Sequence, residues 1–161
     1  MELLERELEL AALSRALRDA ASGAGSMLFV GGEAGIGKSA LVERFAASVG
    51  AHARVLWGAC DALFTPRPLG PLHDVARQAG GRLLATATSS ASREALFAAF
   101  LDELQRARLT TVLVVEDAHW ADEATLDLLK FLGRRVHRLA AMLVVTYRDD
   151  EVGTNHPLRS V

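Results

Sequence analysis

The segment from Gly32 to Ser39 reads GEAGIGKS and matches the pattern G-x-x-x-x-G-K-[ST]. The glycines of this pattern allow the backbone to curl until several N–H groups point at one anion. The lysine ammonium then reaches the β- and γ-phosphates of a nucleotide, and the hydroxyl that follows contacts Mg²⁺. A chain of this composition gives roughly 0.001 chance matches. The segment therefore predicts a phosphate-binding loop rather than a plain glycine-rich turn.

The residues on either side of this loop predict a strand before it and a helix after it. The apolar run Met27–Val30 is bounded by glycines, as in a strand that is buried on both faces. Apolar residues recur at helical spacing from Leu41 to Val49. Further runs that predict strands lie at 54–57, 112–115 and 142–145. Because these runs alternate with helical patterns, the sequence predicts an α/β fold with a parallel sheet and helices on its faces.

Leu3, Leu10, Leu13 and Leu17 recur at helical spacing and predict an amphipathic first helix. We expect residues 1–25 to form this helix and a linker, and residues 26–161 to form the core that binds the nucleotide. Further helices are expected at 72–79 and 96–104, and a third is capped by Asp122 and carries Leu129, Leu132, Val136 and Leu139. A loop is expected at 61–71, where Pro66, Pro68 and Pro71 occur.

The backbone around the loop is expected to surround the nucleotide phosphates. The helix that begins at about Lys38 adds the positive end of its dipole to this cradle. We assign Ser39 to the metal and Lys38 to the phosphates. The residues expected to line the nucleotide are Gly32, Glu33, Ala34, Gly35, Ile36, Gly37, Lys38, Ser39 and Ala40.

Two carboxylates end the apolar run at 112–115, where ligands of open α/β sheets bind. We expect Glu116 to hold Mg²⁺, directly or through water, and Asp117 to orient the attacking water. A solvated turn that happens to carry two acids is the alternative. An aspartate is usual at the position of Glu116, and the extra methylene moves the carboxylate by roughly 1 Å. Binding should tolerate this displacement better than turnover.

Arg148 follows the last predicted strand and would contact the γ-phosphate with its forked guanidinium. The alternative is a surface ion pair with Asp149, Asp150 or Glu151. His119 and Trp120 follow the acidic pair, and the sequence favours a packing role for both.

Composition restricts the partners of this chain. Its 161 residues carry a formal net charge of -2, so no overall basic field exists to hold nucleic acid. The single cysteine, Cys60, excludes an intramolecular disulfide. The first residues are acidic and helical in pattern, unlike a signal peptide, and the longest apolar run, 139–145, is too short to cross a bilayer. We expect a cytoplasmic protein whose segment here contacts neither nucleic acid nor membrane.

Three motifs together resemble the ATPase domain of the STAND class of signal-transduction P-loop NTPases. They are the loop at 32–39, the run Glu116–Asp122 (EDAHWAD) and the triplet Thr146–Arg148 (TYR). The nearest group is the large ATP-binding LuxR-type transcriptional regulators, which carry an AAA-like module. The opening segment 4–10 and the segment 57–71 also resemble that group.

The resemblance implies a three-layer sandwich of the ASCE type with the sheet order 5-1-4-3-2. It also implies ATP with Mg²⁺ as cofactors, a γ-phosphate sensor at Arg148, and slow hydrolysis that resets a switch. Its partners would be ATP and ADP, an unknown inducer, regulatory domains outside this chain, and further copies of the chain in a nucleotide-dependent manner. Since the chain ends at Val161, we expect an incomplete ATPase domain that lacks strand 5.

Two other functions remain open from the residues alone. One is a small, self-sufficient P-loop ATPase or kinase that transfers phosphate to an acceptor. The other is an adaptor that does not hydrolyse nucleotide, or binds none, although the intact pair Lys38 and Ser39 argues against loss of binding.

Overall fold

The computed structural model describes residues 2–63, 65 and 67–161, in which helices and strands alternate. The strands are β1 (Ser26–Val30), β2 (Ala53–Ala59), β3 (Thr110–Glu116) and β4 (Ala141–Thr146). The helices are α1 (Glu2–Ala21), α2 (Lys38–Val49), α3 (Gly70–Ala79), α4 (Gly81–Ala87), α5 (Arg93–Arg106) and α6 (Glu123–Gly133). Short 3₁₀ turns occupy Gly50–His52, Ala118–Trp120, Val136–Arg138 and Pro157–Ser160.

The strands form one parallel, four-stranded sheet in the order β1-β4-β3-β2. β4 is buried at every position and β3 at every position except its two ends, as their uninterrupted apolar sequences predict. The α/β fold and the order 1-4-3-2 are therefore confirmed. The placement of a fifth strand beside β1 stays a prediction.

Alternating side chains of β3 and β4 face two separate cores, because successive residues of a strand point to opposite faces. Val112, Val114, Met142 and Val144 pack with buried residues of α1 and α2. The intervening residues, Leu113, Val115, Leu143 and Val145, pack with α3, α4, α5 and α6. The predicted three-layer sandwich is confirmed.

Helix α1 packs against the core that α2 and the sheet share. Leu13 is buried there, and Leu10 and Leu17 are partly buried against it, as their helical spacing predicts. The side chain of Leu3 lies outside the described residues. Neither α1 nor any other helix in the described part of the chain has both the length and the apolar character needed to cross a membrane.

The helix predicted from Asp122 to Leu139 is shorter than expected. Asp122 caps it, with one carboxylate oxygen accepting from the Thr125 amide at 3.2 Å, but the helix ends at Gly133. Glycine has a low helix propensity, and the chain continues through the 3₁₀ turn Val136–Arg138. Val136 and Leu139 are still buried, because the turn keeps both on the core side.

Asp122 also fixes the loop that precedes α3. Its Oδ2 accepts from the Leu69 amide at 3.3 Å, and Leu69 has a left-handed backbone with φ +56°. The loop predicted at 61–71 ends two residues early, because α3 begins at Gly70 with Pro71 in its first turn. Pro66, which was predicted to lie in this loop, is outside the described residues.

Cys60 provides a test of the core between the sheet and α3–α6, where it is buried. Burial, aided by the Asp122 and Asp117 carboxylates, raises the pKa of its thiol to about 12. At pH 8 we expect iodoacetamide to alkylate the folded protein at least about 100-fold more slowly than the denatured chain, since the thiolate is the reactive form. Mass spectrometry measures the rate, with Cys60→Ser as the unlabelled control. Equal rates in both states would show that the thiol is exposed.

Candidate nucleotide-binding site

The loop at 31–37 joins the end of β1 to the start of α2, which begins at Lys38 as the sequence predicts. Gly35 and Gly37 have φ of +77° and +89°, a region that strains residues with a side chain. A β-carbon on Gly37 would also meet the guanidinium of Arg6. The glycines therefore produce the curl that the motif requires.

The start of α2 presents unpaired backbone donors. The amides of residues 37–40 donate to no other backbone group among the residues that the structure describes. No side chain caps this helix end, and no acidic residue lies in its first turn. Free N–H groups and the positive end of a helix dipole together favour an anion at this position.

Lys38 folds its side chain along the loop. Its Nζ donates to the carbonyl oxygens of Gly32 at 2.7 Å and Glu33 at 2.8 Å. The ammonium therefore lies at the mouth of the curl, where its charge adds to that of the free amides.

Arg6 of α1 reaches the same loop, although no sequence motif predicts a role for it. Its Nη2 donates to the Ile36 carbonyl oxygen at 2.8 Å, and Arg6, Gly37 and Lys38 line a pocket of about 170 Å³. The contact joins residues 30 positions apart, so no local pattern predicts it. The only sequence signal is the resemblance of segment 4–10.

Glu116 ends β3 beside the first turn of α2. Burial raises the pKa of its carboxyl, while a side-chain hydrogen bond with Ser39 opposes the shift; the Asp117 and Glu43 charges raise it further. Ser39 and Glu116, predicted as one metal pair, thus lie together. A hydroxyl beside a carboxylate with unfavourable neighbouring charges fits Mg²⁺, which prefers oxygen ligands.

Asp117 has a left-handed backbone, with φ +56° and ψ +43°. This conformation costs free energy for residues other than glycine, although aspartate tolerates it better than most. Its amide donates to Thr146 Oγ1 at 3.1 Å, and Thr146 is buried at the end of β4. The hydrogen bond holds Asp117 at the turn where β3 leaves the sheet. Thr146 is the polar last residue of an otherwise apolar strand, and this pattern in the sequence could have indicated its role.

Arg148 lies close to the loop, but its guanidinium pairs with Glu151. Its Nη1 lies 2.9 Å from Glu151 Oε1, and its Cζ lies 5.0 Å from the centroid of the Trp120 ring. The ion pair is the alternative that the sequence left open. The assignment of Arg148 to the γ-phosphate stays a prediction.

His119 is buried behind the acidic pair and forms packing contacts. Its Nδ1 accepts from the Arg148 amide at 3.3 Å, and its ring stacks obliquely on Trp120 at 4.4 Å between centroids. Burial lowers the pKa of the imidazole, so the ring is neutral at neutral pH. These contacts agree with the packing role that the sequence favours.

The arrangement can bind a phosphate chain and one divalent cation. Among the described residues, no group of three or more His, Cys, Asp or Glu side chains is placed to hold a metal ion. Nucleotide oxygens would therefore complete a metal site that begins with Ser39 and Glu116, as is usual for Mg²⁺. The contacts of residues 32–40 with a nucleotide stay a prediction.

The sequence of this chain matches one known family of domains. The family model described as "AAA ATPase domain" matches residues 2–145. No curated protein matches the chain at a significant level.

Solved structures share the fold at low sequence identity. Cdc6p from Pyrobaculum aerophilum has a TM-score of 0.61 at 19% identity, covering 92% of this chain and 40% of that chain. A chain of Drosophila ORC bound to DNA has a TM-score of 0.62 at 16% identity, covering 96% and 79%. C. elegans PCH-2 has a TM-score of 0.56 at 10% identity, covering 96% and 39%. The chain spans less than half the length of the Cdc6p and PCH-2 chains, and these likenesses concern the fold alone.

Thr146→Val tests how Asp117 is held. Valine keeps the shape of threonine but removes the acceptor for the Asp117 amide, so we expect the free energy of unfolding to fall by about 1–2 kcal/mol. Urea denaturation measures it. Thr110→Val, at the other end of the neighbouring strand, is the control and should change stability by less than about 0.5 kcal/mol. Equal effects of the two changes would contradict this role of Thr146.

Proposed function

The chain belongs to the AAA ATPase domain family, and from that premise we propose that it is a switch domain that binds Mg-ATP and hydrolyses it slowly. The observation that carries this proposal is the start of α2, where free amides, the Lys38 ammonium and the pair of Ser39 and Glu116 meet. These groups match the charge of a triphosphate and the ligand preference of Mg²⁺.

The amides of residues 37–40 and the Lys38 ammonium hold the phosphate chain. Lys38 exchanges its carbonyl partners for the β- and γ-phosphates, because charged acceptors form the stronger hydrogen bonds. The glycines at 35 and 37 keep the loop open to the approaching phosphates. The phosphates are thereby fixed in one position relative to the ends of β3 and β4.

Ser39 and Glu116 would hold Mg²⁺, which when bound neutralises charge on the phosphate oxygens. Asp117 orients and polarises the attacking water, and its fixed backbone supports this task. Glu116 stands where aspartate is usual, and a displacement of roughly 1 Å at such a group costs about a hundredfold in rate. Turnover is therefore slow while binding is retained.

Arg148 contacts the γ-phosphate and thereby distinguishes ATP from ADP. In support, β4 lies beside β1, with Thr146 in register with Val30, so residues after β4 run alongside the loop. A forked guanidinium suits a terminal phosphate.

At the level of the whole protein, we assign the domain to a STAND-class, LuxR-type transcriptional regulator in the cytoplasm. The motifs at 32–39, 116–122 and 146–148 support this assignment. ATP and ADP, an inducer, and other copies of the chain are its partners, and DNA is contacted by regions outside this segment.

Lys38→Ala tests the binding site. We expect the affinity for Mg-ATP to fall at least about tenfold, because an ammonium at the phosphates is lost. Isothermal titration calorimetry measures the affinity. Lys130→Ala, at the chain's other lysine on α6, should bind as the unchanged protein does. Unchanged affinity in Lys38→Ala would reject the assignment of this loop.

Asp117→Asn tests hydrolysis. Asparagine also tolerates a left-handed backbone, so folding and Mg-ATP binding should be retained while phosphate release falls by about 100-fold or more. Asp127→Asn on α6 is the control and should hydrolyse normally. Retained hydrolysis in Asp117→Asn would identify another base. Phosphate transfer to an added acceptor, instead of release, would favour a kinase.

A further inference from the structure

One carboxylate, that of Glu151, joins the segments that follow β3 and β4. Its Oε1 pairs with Arg148 Nη1 at 2.9 Å, and its Oε2 accepts from Trp120 Nε1 at 3.0 Å. The same Oε2 lies 3.7 Å from His119 Nε2. That nitrogen has no hydrogen-bond partner among the described residues, and it faces the carboxylate.

The segment that carries Arg148 is fastened to the phosphate loop through its backbone. The Tyr147 amide donates to the Val30 carbonyl oxygen at 3.1 Å, and the Asp149 amide donates to that of Gly32 at 3.3 Å. Arg148 lies between these two bonds. The backbone of Arg148 therefore lies beside the loop, whether its guanidinium contacts the Glu151 carboxylate or a phosphate.

From these contacts we infer that Glu151 is a positioning residue that holds Arg148 away from the γ-phosphate when the domain is free of ATP. On ATP binding, the guanidinium passes from the Glu151 carboxylate to the γ-phosphate, and it leaves the Trp120 ring, whose centroid lies 5.0 Å from Arg148 Cζ. This inference rests on the proposed function, in which Arg148 reads the γ-phosphate.

The exchange is feasible because the ion pair is weak. Both side chains are about one-third exposed, at 33% and 37%, and exposed pairs of this kind contribute little stability. A terminal phosphate carries more charge than a carboxylate and accepts both arms of the guanidinium. ADP lacks that phosphate, so it leaves the pair intact.

The turn that carries Glu151 also contacts the last element of the described chain. Glu151 lies in the turn after β4, and its neighbour Val152 accepts from Arg159 Nη2 at 3.1 Å through its carbonyl oxygen. Arg159 belongs to the 3₁₀ turn Pro157–Ser160. The turn that carries Glu151 is thus bonded to this last element through Val152.

Glu151→Gln tests the competition for Arg148. Glutamine keeps the shape and one acceptor but removes the charge, so Arg148 is held less firmly. We expect the affinity for a non-hydrolysable Mg-ATP analogue to rise about two- to fivefold, with the affinity for Mg-ADP unchanged. Asp150→Asn, at the adjacent exposed acid, should alter neither. In Arg148→Ala, addition of Glu151→Gln should have no further effect.

Equal changes for the ATP analogue and ADP, or no change, would overturn the inference while leaving the proposed function in place. If the unchanged protein fails to bind either nucleotide at millimolar concentration, the proposed function fails as well. The two failures are thus distinguished by titrating the unchanged protein first.

Tryptophan fluorescence gives a second measurement that leaves Glu151 intact. The chain has two tryptophans, and Trp57→Phe leaves Trp120 as the only reporter. Trp57 meets Gln78 through backbone groups, so phenylalanine should keep those bonds. We expect the ATP analogue to change the emission of Trp120 and ADP to leave it unchanged. The same response to both nucleotides would show that Trp120 does not follow the γ-phosphate.

Discussion

Parallel pairing of β1, β4 and β3 is the constraint on which the site depends. In a parallel sheet all strands end at the same edge, so the loop after β1, the acids at the end of β3 and the arginine after β4 meet there. The sheet is held by apolar side chains on both faces of β3 and β4. The same burial that stabilises the fold thereby fixes the relative positions of charged groups that come from distant parts of the chain.

Patterns that repeat over short distances were sufficient to predict the fold. The apolar runs located the strands, and the glycine motif located the start of α2, because each signal lies within a few residues. The end of α6 was missed, since Val136 and Leu139 continue the apolar spacing although Gly133 ends the helix. The apolar spacing thus predicted correctly that Val136 and Leu139 are buried. It predicted wrongly that both belong to the helix.

Side-chain contacts between distant segments were the part of the site that sequence could not predict. Lys38, Ser39 and Glu116 follow from motifs whose chemistry is local. The contacts of Arg6 with the loop and of Thr146 with Asp117 span 30 and 29 positions. They depend on packing of α1 and on strand register, which become known only with coordinates. Glu151 is a further example, since nothing in its neighbours separates it from two other acids.

Three side chains of the site already have a partner within the chain. Lys38 has two carbonyl oxygens, Ser39 has the Glu116 carboxylate, and Arg148 has Glu151. Such partners remove the penalty of leaving a partly buried polar group unsatisfied, but a ligand must displace them. A triphosphate with its cation offers replacements for all three at once, whereas a smaller anion replaces only some.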